Sequence, residues 1–295
     1  MDHCQLPPIK PKTGDYDPDK DSSVFELPDK YTLTEKMRQD EGDHVASLCD
    51  IIRTHIDGDM DLSWISDLKQ QYDKRTSKGY SFSNEDAILK SFCNNFSDGV
   101  ECRITAYRNS RIDYLNARIR TSIFGPKSSD RYVSGDLIVG NDIYNPKNDI
   151  IPIFYNGEDM MVENVYENVV DNIQCHELWV KYKDRPIYVV KECDIHKYNS
   201  RISKLKADAM VKHYWADYMQ FKSQYANISY GYALTLYKVQ GSTMHGTYVD
   251  VSDIFSVKPL TPKRKLQSFY VGASRPTHFL AIFDILLLFG INLYL

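Results

Sequence analysis

The fold of this chain is indicated first by residues 101–120, which read ECRITAYRNSRIDYLNARIR. The first part has an apolar residue at every second position, as a strand does, and the second has apolar residues three and four positions apart, as a helix does. These positions are Cys102, Ile104 and Ala106 in the strand and Ile112, Leu115 and Ile119 in the helix. A strand that leads directly into a helix is one step of an α/β sheet. The stretch therefore predicts an α/β fold.

Similar patterns lie on both sides of this step. Residues 33–57 read LTEKMRQDEGDHVASLCDIIRTHID, and their apolar spacing predicts an amphipathic helix that Asp43 caps. Its core-facing residues are Val45, Leu48, Cys49 and Ile52. Towards the C-terminus we predict three further strands of the same sheet, near YALTL (232–236), GTYVDV (246–251) and SFYVGA (268–273).

Residues 131–194 have a different character, since short runs rich in Val, Ile and Tyr alternate with turn residues. Asn156-Gly157 is a typical hairpin sequence. We therefore predict a small antiparallel β module inserted into the α/β domain, followed by a helix at about 202–225. The predicted organisation is residues 1–125 for the first part of the α/β domain, 126–200 for the β module, and 201–295 for the remainder with an apolar C-terminal tail.

The helix after the β module contains aromatic and basic residues together. Aromatic residues at helical spacing are usually buried, so we predict that Trp215, Tyr218 and Phe221 face the core. The alternative is that this helix, with Lys212 and His213, faces nucleic acid.

The composition of the 295 residues, with 42% hydrophobic and 26% charged residues, is typical of a globular protein and excludes disordered, collagenous and disulfide-stapled classes. A net charge of -4 means that a nucleic-acid site must be a local basic patch. The six cysteines include no CxxC pair, which indicates a reducing compartment.

Four residues could be zinc ligands, namely Cys175, His176, Cys193 and His196. Adjacent Cys and His residues are poorly placed for tetrahedral coordination. Buried thiols and surface histidines are therefore the favoured interpretation, and no metal site is predicted.

Four short segments follow one another in a fixed order: MDHCQLPPI (1–9), LTEKMRQ (33–39), YALTLYKVQGST (232–243) and YVGASRP (270–276). Together they resemble superfamily 1 DNA helicases of the RecD/Dda-like branch, superfamily 1B. They are similar to motif III from its aspartate onward, to the motif that brings an arginine to the γ-phosphate, and to motifs V and VI. Pif-family helicases share these motif shapes and are the alternative within the class.

The resemblance implies the C-terminal half of such a helicase, starting at motif III. Its fold would be the second RecA-like domain of P-loop NTPase type, with the β module in the place of an SH3-like insert. The implied activity is ATP-dependent, five-prime to three-prime movement on single-stranded DNA, in replication or repair. The implied location is intracellular, either cytoplasmic or at the site of DNA replication, and a viral or phage origin is open.

Site residues are transferred by motif. The resemblance implies that Arg275, Arg38 and Gln5 are catalytic, and that Gln5, Arg38, Gly241 and Arg275 contact nucleotide. A planar guanidinium neutralises the charge of a transferring phosphoryl group bidentately, which suits the two arginines. Contacts to nucleic acid are implied for Thr235, Lys238, Gln240, Ser242 and Thr243, which offer hydroxyl, ammonium and amide donors to a phosphate backbone. Tyr237 stands where the family usually has His, and a Tyr there could stack on a base.

Two elements of a complete motor are missing from these residues. The pattern GxxxxGK[ST] does not occur, and neither does the acidic Mg²⁺ ligand of motif II. We therefore expect ATP and Mg²⁺ only in a complete helicase, with neither bound tightly by this chain alone. The expected partners are single-stranded DNA and an N-terminal RecA-like domain, supplied in cis or in trans, with no membrane. The alternative from another class is a non-catalytic single-strand-binding remnant or partner subunit.

Overall fold

The computed structural model describes residues 4–7, 44–58, 64–65 and 79–283. The chain divides into two compact units, which are described separately. The first comprises Met1–Leu115 and Ala233–Leu295, and the second comprises Asn116–Tyr232. We call them the parallel unit and the antiparallel unit, after their sheets.

The helices and strands follow in chain order. They are α1 (His44–Asp57), β1 (Tyr80–Ser83), α2 (Glu85–Ser97), β2 (Cys102–Ala106), α3 (Asn109–Phe124), β3 (Leu137–Gly140), β4 (Asp159–Val170), β5 (Ile173–Val180), β6 (Ile187–Val190), α4 (Ile195–Lys212), α5 (Ala216–Ser223), β7 (Ile228–Tyr230), β8 (Ala233–Thr235), α6 (Leu236–Val239), β9 (Met244–Val249), α7 (Val251–Ser256), α8 (Pro262–Ala273) and β10 (Pro276–Phe283).

The parallel unit has a five-stranded sheet in the order β1-β10-β9-β2-β8, and every adjacent pair is parallel. In the centre, Ile104 of β2 lies opposite Tyr248 of β9 and Ala233 of β8. The separate antiparallel sheet of the other unit completes a mixed α/β architecture. The predicted fold class, an α/β domain with an inserted antiparallel module, is confirmed.

The strand–helix step at 101–120 is confirmed as β2 and α3. All five residues of β2 are buried, including Arg103 and Thr105, so the alternation in the sequence does not mark an exposed face. Strands of a parallel sheet that is covered on both faces are buried on both sides. The helix α1 is confirmed with Val45, Leu48 and Cys49 buried, as is Ile52. Its predicted cap, Asp43, lies outside the described residues.

The predictions for the C-terminal strands are confirmed at β8 and β9 and wrong at SFYVGA, which lies in α8. This helix begins after Thr261, whose hydroxyl accepts a hydrogen bond from the backbone N–H of Arg264, and has Pro262 in its first turn. A capping Thr followed by Pro is a helix-start signal. Every residue from 266 to 273 is buried, so a central helix produces the same unbroken run of buried residues as a buried strand.

The antiparallel unit has a five-stranded sheet in the order β6-β5-β4-β3-β7. Its tightest hairpin joins β4 to β5 through Asp171 and Asn172, with φ of 51° and 63°. Two consecutive positive φ values define a type I′ turn, whose twist matches that of the strands. Asn156-Gly157 also forms a turn, in which the N–H of Glu158 donates to the carbonyl of Tyr155 at 3.2 Å. It leads into β4 but does not join two adjacent strands of the sheet directly.

The antiparallel unit extends beyond the predicted interval of 126–200, since it begins at Asn116 and ends at Tyr232. The helices α4 and α5 belong to it because their apolar faces cover one end of the sheet. A cluster of Ile173, Cys175, Phe221 and Tyr225 is extended by Tyr198, Ile202 and Leu205. Strand β7 also pairs with β3. The predicted single helix at 202–225 is interrupted at His213, which adopts a left-handed conformation with φ of 51°.

Within the described residues, none of the helices combines the length and the apolar character that crossing a membrane requires.

Candidate nucleic-acid and phosphate site

The predicted nucleic-acid residues lie in one connection of the parallel unit, from the end of β8 to the start of β9. Thr235 is the N-cap of the short helix α6, and Lys238 lies within this helix. Residues 240–243 then form a loop that a turn closes. Both the backbone N–H and the hydroxyl of Ser242 donate to the carbonyl of Val239, at 3.1 and 2.7 Å. Gly241 has φ of 93°, a conformation that favours glycine, although a Cβ there would meet no atom within 4 Å.

Gln240 connects this loop to the N-terminal segment. Its side-chain amide donates to the side-chain oxygen of Gln5 at 3.3 Å and to the carbonyl of Leu6 at 3.1 Å. Cys4 and Leu6 are buried on either side of Gln5. Gln5 and Leu6 are thus held against the loop after α6, although 235 positions separate Gln5 from Gln240.

Arg275 follows α8 and lies at the other side of the same loop. Its guanidinium donates to the carbonyl of Val271 at 3.0 Å, to the hydroxyl of Ser274 at 2.8 Å and, more weakly, to the carbonyl of Ser242 at 3.5 Å. The backbone N–H of Met244 in turn donates to the carbonyl of Arg275 at 3.2 Å. The side chain is only 1% exposed. A contact with phosphate would therefore require this guanidinium to exchange protein acceptors for phosphate oxygens.

The structure brings these residues together as two hydrogen-bonded pairs, Gln240 with Gln5 and Arg275 with Ser242, at the two ends of the loop 240–243. Lys238 is exposed, yet partial burial of its amino group lowers the pKa, and the carboxylate of Asp113 in α3 opposes that shift. Thr243 is exposed as well. Arg38, the second predicted arginine, lies outside the described residues.

Tyr237 pairs with another tyrosine at the ends of neighbouring strands. Its ring centroid lies 6.4 Å from that of Tyr107, which follows β2. Burial, reinforced by Tyr237, raises the pKa of the Tyr107 hydroxyl. Both members of this aromatic pair are half-buried.

A network of charges that the sequence interpretation missed fixes the loops after β2 and β9. Asp253 accepts hydrogen bonds from the backbone N–H groups of Tyr107 and Arg108, at 2.8 and 2.9 Å, and from the Arg108 guanidinium at 2.5 Å. Asp250 caps α7 and accepts from Arg111 at 2.6 Å. Both carboxylates are buried. The sequence did hold a signal, because an Asp directly after a strand and before a helix is a typical N-cap.

The prediction for the aromatic helix is right for Phe221, which is buried, and wrong for Trp215, which is 41% exposed. Tyr218 is half-buried. The reason is the break at His213, which ends α4, so Trp215 lies in the junction between the two helices and does not continue the helical spacing.

The alternative zinc ligands have separate structural surroundings. Cys175 is buried in β5 and its thiol donates to the carbonyl of Ile173, whereas Cys193 is exposed beside Gln174. Burial raises the pKa of the Cys175 thiol to about 11, which disfavours the thiolate that zinc requires. In the part of the chain that the structure describes, no group of three or more His, Cys, Asp or Glu side chains is arranged to hold a metal ion.

No family model matches the chain. Among curated proteins, it is 24% identical, over an alignment of 336 residues, to an uncharacterized protein, R530, of Acanthamoeba polyphaga mimivirus. The alignment covers 93% of this chain and 66% of that protein. The chain thus spans just under two thirds of the length of this viral relative.

Among solved structures, the chain is similar to Pif1 helicases. The Pif1 helicase from Bacteroides in complex with ADP-AlF3 and ssDNA is 14% identical with a TM-score of 0.41, and the match covers 84% of this chain and 51% of that one. The Pif1 helicase from Candida albicans is 13% identical with a TM-score of 0.36, and the match covers 68% of this chain and 49% of that one. The chain therefore spans about half of the length of these helicases.

Proposed function

We propose that this chain is the C-terminal motor half of an ATP-dependent helicase that moves along single-stranded DNA, five-prime to three-prime as its motifs imply. The observation that supports this proposal most directly is the hydrogen bond from Gln240 to Gln5. It joins two segments that resemble motifs III and V and that lie 235 residues apart. The contact of Arg275 with Ser242 adds the segment that resembles motif VI.

These contacts offer a physical route between a nucleotide and a DNA strand. In the proposed motor, Gln5 senses the γ-phosphate, and Gln240 transmits its position to the loop that holds the strand. Lys238, Ser242, Thr243 and Thr235 contact phosphates through ammonium, hydroxyl and backbone groups, which fix a strand without reading its sequence. Arg275 and Arg38 neutralise the charge that develops on the transferring phosphoryl group.

The residues present fit only one side of an ATP site. Gln5, Arg38, Gly241 and Arg275 would face the nucleotide, but GxxxxGK[ST] is missing from the 295 residues. The cradle for the phosphates and the Mg²⁺ ligands would come from an N-terminal RecA-like domain, in cis or in trans. ATP with Mg²⁺ supplies the driving free energy when that domain is bound. A role in DNA replication or repair follows only with this partner.

The test is to measure ATP hydrolysis and single-strand binding by the chain alone and after mixing with a RecA-like domain that carries the P-loop. We expect hydrolysis that is stimulated by DNA only in the mixture. Arg275→Ala should abolish hydrolysis there while leaving strand binding within about twofold. Arg275 is buried, so thermal unfolding must first establish that the variant folds, and Arg275→Lys serves as the milder variant. Hydrolysis that persists in a folded variant would remove the catalytic assignment.

A second candidate is a non-catalytic module that binds single strands. It is favoured by the protein acceptors at Ser242, Ser274 and Val271, which already engage the Arg275 guanidinium. In that case binding would depend on salt and be indifferent to nucleotide and to the added domain. Equal affinity with and without an ATP analogue in the mixture would select this alternative.

A further inference from the structure

The junction of α4 and α5 exposes large apolar side chains within ten residues. They are Met210, Val211, Tyr214, Trp215 and Met219. We call this surface the α4–α5 corner. Tyr214 is 59% exposed and Trp215 is 41% exposed, and the ring of Trp215 meets that of Tyr218 edge to face at 5.6 Å. Monomeric proteins rarely expose apolar residues in such concentration without a binding function.

The corner is not needed to build the core of the antiparallel unit. The inward face of α4 is formed by Tyr198, Ile202 and Leu205, and that of α5 by Phe221. The left-handed residue His213 ends α4, and α5 starts at Ala216 after a short junction. The aromatic side chains between these two faces are therefore held in place by ordered helices while remaining accessible.

The charge around the corner is positive in a chain whose net charge is -4. Residues 201–222 include five basic side chains and two acidic ones, all of them exposed. The basic ones are Arg201, Lys204, Lys206, Lys212 and Lys222, and the acidic ones are Asp208 and Asp217. Two of the basic side chains form ion pairs with aspartates outside this range. The Lys222 amino group lies 3.5 Å from a carboxylate oxygen of Asp142, and the Arg201 guanidinium lies 2.7 Å from one of Asp171. Lys206 and Lys212 are the basic residues of α4 that are nearest in sequence to Met210 on either side.

We propose that the α4–α5 corner is a second contact for single-stranded nucleic acid, in which Tyr214 and Trp215 stack on bases while Lys206 and Lys212 contact phosphates. Aromatic rings that stack on bases, combined with a basic surface that follows the backbone, are how proteins hold single strands without sequence preference. A protein partner is disfavoured because lysine is depleted at the centres of protein–protein interfaces. The corner shares its ligand with the proposed function but none of its residues.

Tryptophan fluorescence provides a direct test in the full chain, since Trp215 is one of three tryptophans and stands at the proposed contact. A thymidine oligonucleotide of about 16 nucleotides, the upper end of a typical site, should quench the emission. Trp215→Phe should lose most of that quenching and keep the affinity, because phenylalanine still stacks. Tyr214→Ala combined with Trp215→Ala should raise the Kd at least about fivefold.

A matched control removes an equally exposed aromatic side chain elsewhere in the same unit. Tyr166 of β4 is 54% exposed, and Tyr166→Ala should leave both Kd and quenching unchanged. All the replaced side chains are exposed, so thermal unfolding should shift little in any variant. Lys238→Ala in the parallel unit should weaken binding but retain the quenching from Trp215.

The outcomes separate this inference from the proposed function. If Lys238→Ala weakens binding and the double variant at Tyr214 and Trp215 does not, the proposal for the α4–α5 corner is refuted and the motif assignment stands. If only the double variant weakens binding, the proposal for the α4–α5 corner is supported, and the predicted nucleic-acid residues of the parallel unit lose their support. Two other outcomes would also refute the proposal for the α4–α5 corner. In one, the chain binds no oligonucleotide. In the other, the double variant changes only the self-association that sedimentation measures.

Discussion

The two units bury charge in different ways. In the antiparallel unit, Arg120 and Asp136 are both buried and form two hydrogen bonds, at 2.8 and 3.0 Å. In the parallel unit, Asp253 is buried but its partner Arg108 has 52% of its side chain exposed. A buried pair lacks the solvent screening that makes surface pairs weak, so losing one member leaves a charge without compensation.

The positions of the two networks explain this difference. Asp136 also accepts hydrogen bonds from the hydroxyl of Tyr232, at 2.9 Å, and from the backbone N–H of Val133, at 2.8 Å. It thereby ties α3, the start of β3 and the last residue of the antiparallel unit to one another. Asp253 instead fixes the backbone after β2, beside Tyr107. The network at Asp136 thus links the first and last parts of the antiparallel unit, whereas the network at Asp253 fixes the loops around the candidate site.

The largest effect is expected from Asp136→Asn. The variant leaves the Arg120 guanidinium buried without its counter-charge, which should cost about 3–5 kcal/mol of unfolding free energy. Trp179 lies in the antiparallel unit and Trp64 in the parallel unit, so urea unfolding followed in single-tryptophan variants locates the loss. We expect the Trp179 transition to move much further than that of Trp64.

The control for this variant is Glu158→Gln, which breaks the partly exposed ion pair with Lys183 at 2.5 Å. It should cost less than about 1 kcal/mol. Equal losses in the two variants would show that burial of the charge is not what distinguishes the antiparallel network.

A smaller effect is expected from Asp253→Ala in the parallel unit. Two backbone N–H groups, of Tyr107 and Arg108, lose their acceptor, which should cost about 1–3 kcal/mol. Arg108→Ala should cost less than about 1 kcal/mol, because its guanidinium is largely exposed. Thermal unfolding of both variants decides the matter, and a larger loss for Arg108→Ala would refute the role given to the backbone.

A modest effect on binding is expected from Lys238→Ala. Removing one phosphate contact should weaken single-strand binding uniformly across sequences and reduce the slope of log affinity against log salt by about 1. Fluorescence anisotropy at several salt concentrations measures both quantities. Lys147→Ala, in a connection of the antiparallel unit, is the control, and an equal change in slope there would indicate unspecific attraction.

The smallest effect concerns His176 of β5, which packs edge to face against Tyr132 at 5.5 Å. Burial of the imidazole, and to a lesser extent the positive charge of the nearby Lys191, lower the pKa of His176 below its usual 6.5. The unfolded chain therefore takes up a proton at a higher pH than the folded chain, so stability falls as the pH drops below about 6.5. Comparing urea unfolding at pH 7.5 and pH 5.5, His176→Gln should reduce this loss by less than about 1 kcal/mol. The control is His196→Gln in α4, where the replaced side chain is exposed. This variant should leave the loss of stability between pH 7.5 and pH 5.5 unchanged.

Sequence periodicity predicted the elements whose apolar spacing is unambiguous. The helix α1, the step from β2 to α3 and the strands β8 and β9 were found where the pattern placed them. It was wrong at residues 268–273, because a helix buried on all sides and a strand buried on both faces have the same apolar run. It was also wrong at Trp215, where the helix break at His213 removes the side chain from the core.

The candidate site could be predicted only as a list of residues. The motif resemblance named Gln5, Gln240, Ser242 and Arg275, and the structure joins them in two hydrogen-bonded pairs, Gln240 with Gln5 and Arg275 with Ser242. Their roles remain predictions, as does that of Arg38. The acidic network at Asp250 and Asp253 was not named at all, since its partners come from another strand–helix connection.

The sequence by itself therefore determined the class of the fold, the elements whose apolar spacing is unambiguous and the residue types available for chemistry, because these depend on local spacing. Only the tertiary structure decided that Gln240 meets Gln5, that the Arg275 guanidinium is buried among protein acceptors, and that Trp215 is exposed. The physical reason is that hydrogen-bond partners and solvent exposure depend on which distant segments pack together. In this chain the parallel sheet brings together the loops of strands that the inserted antiparallel unit separates in sequence.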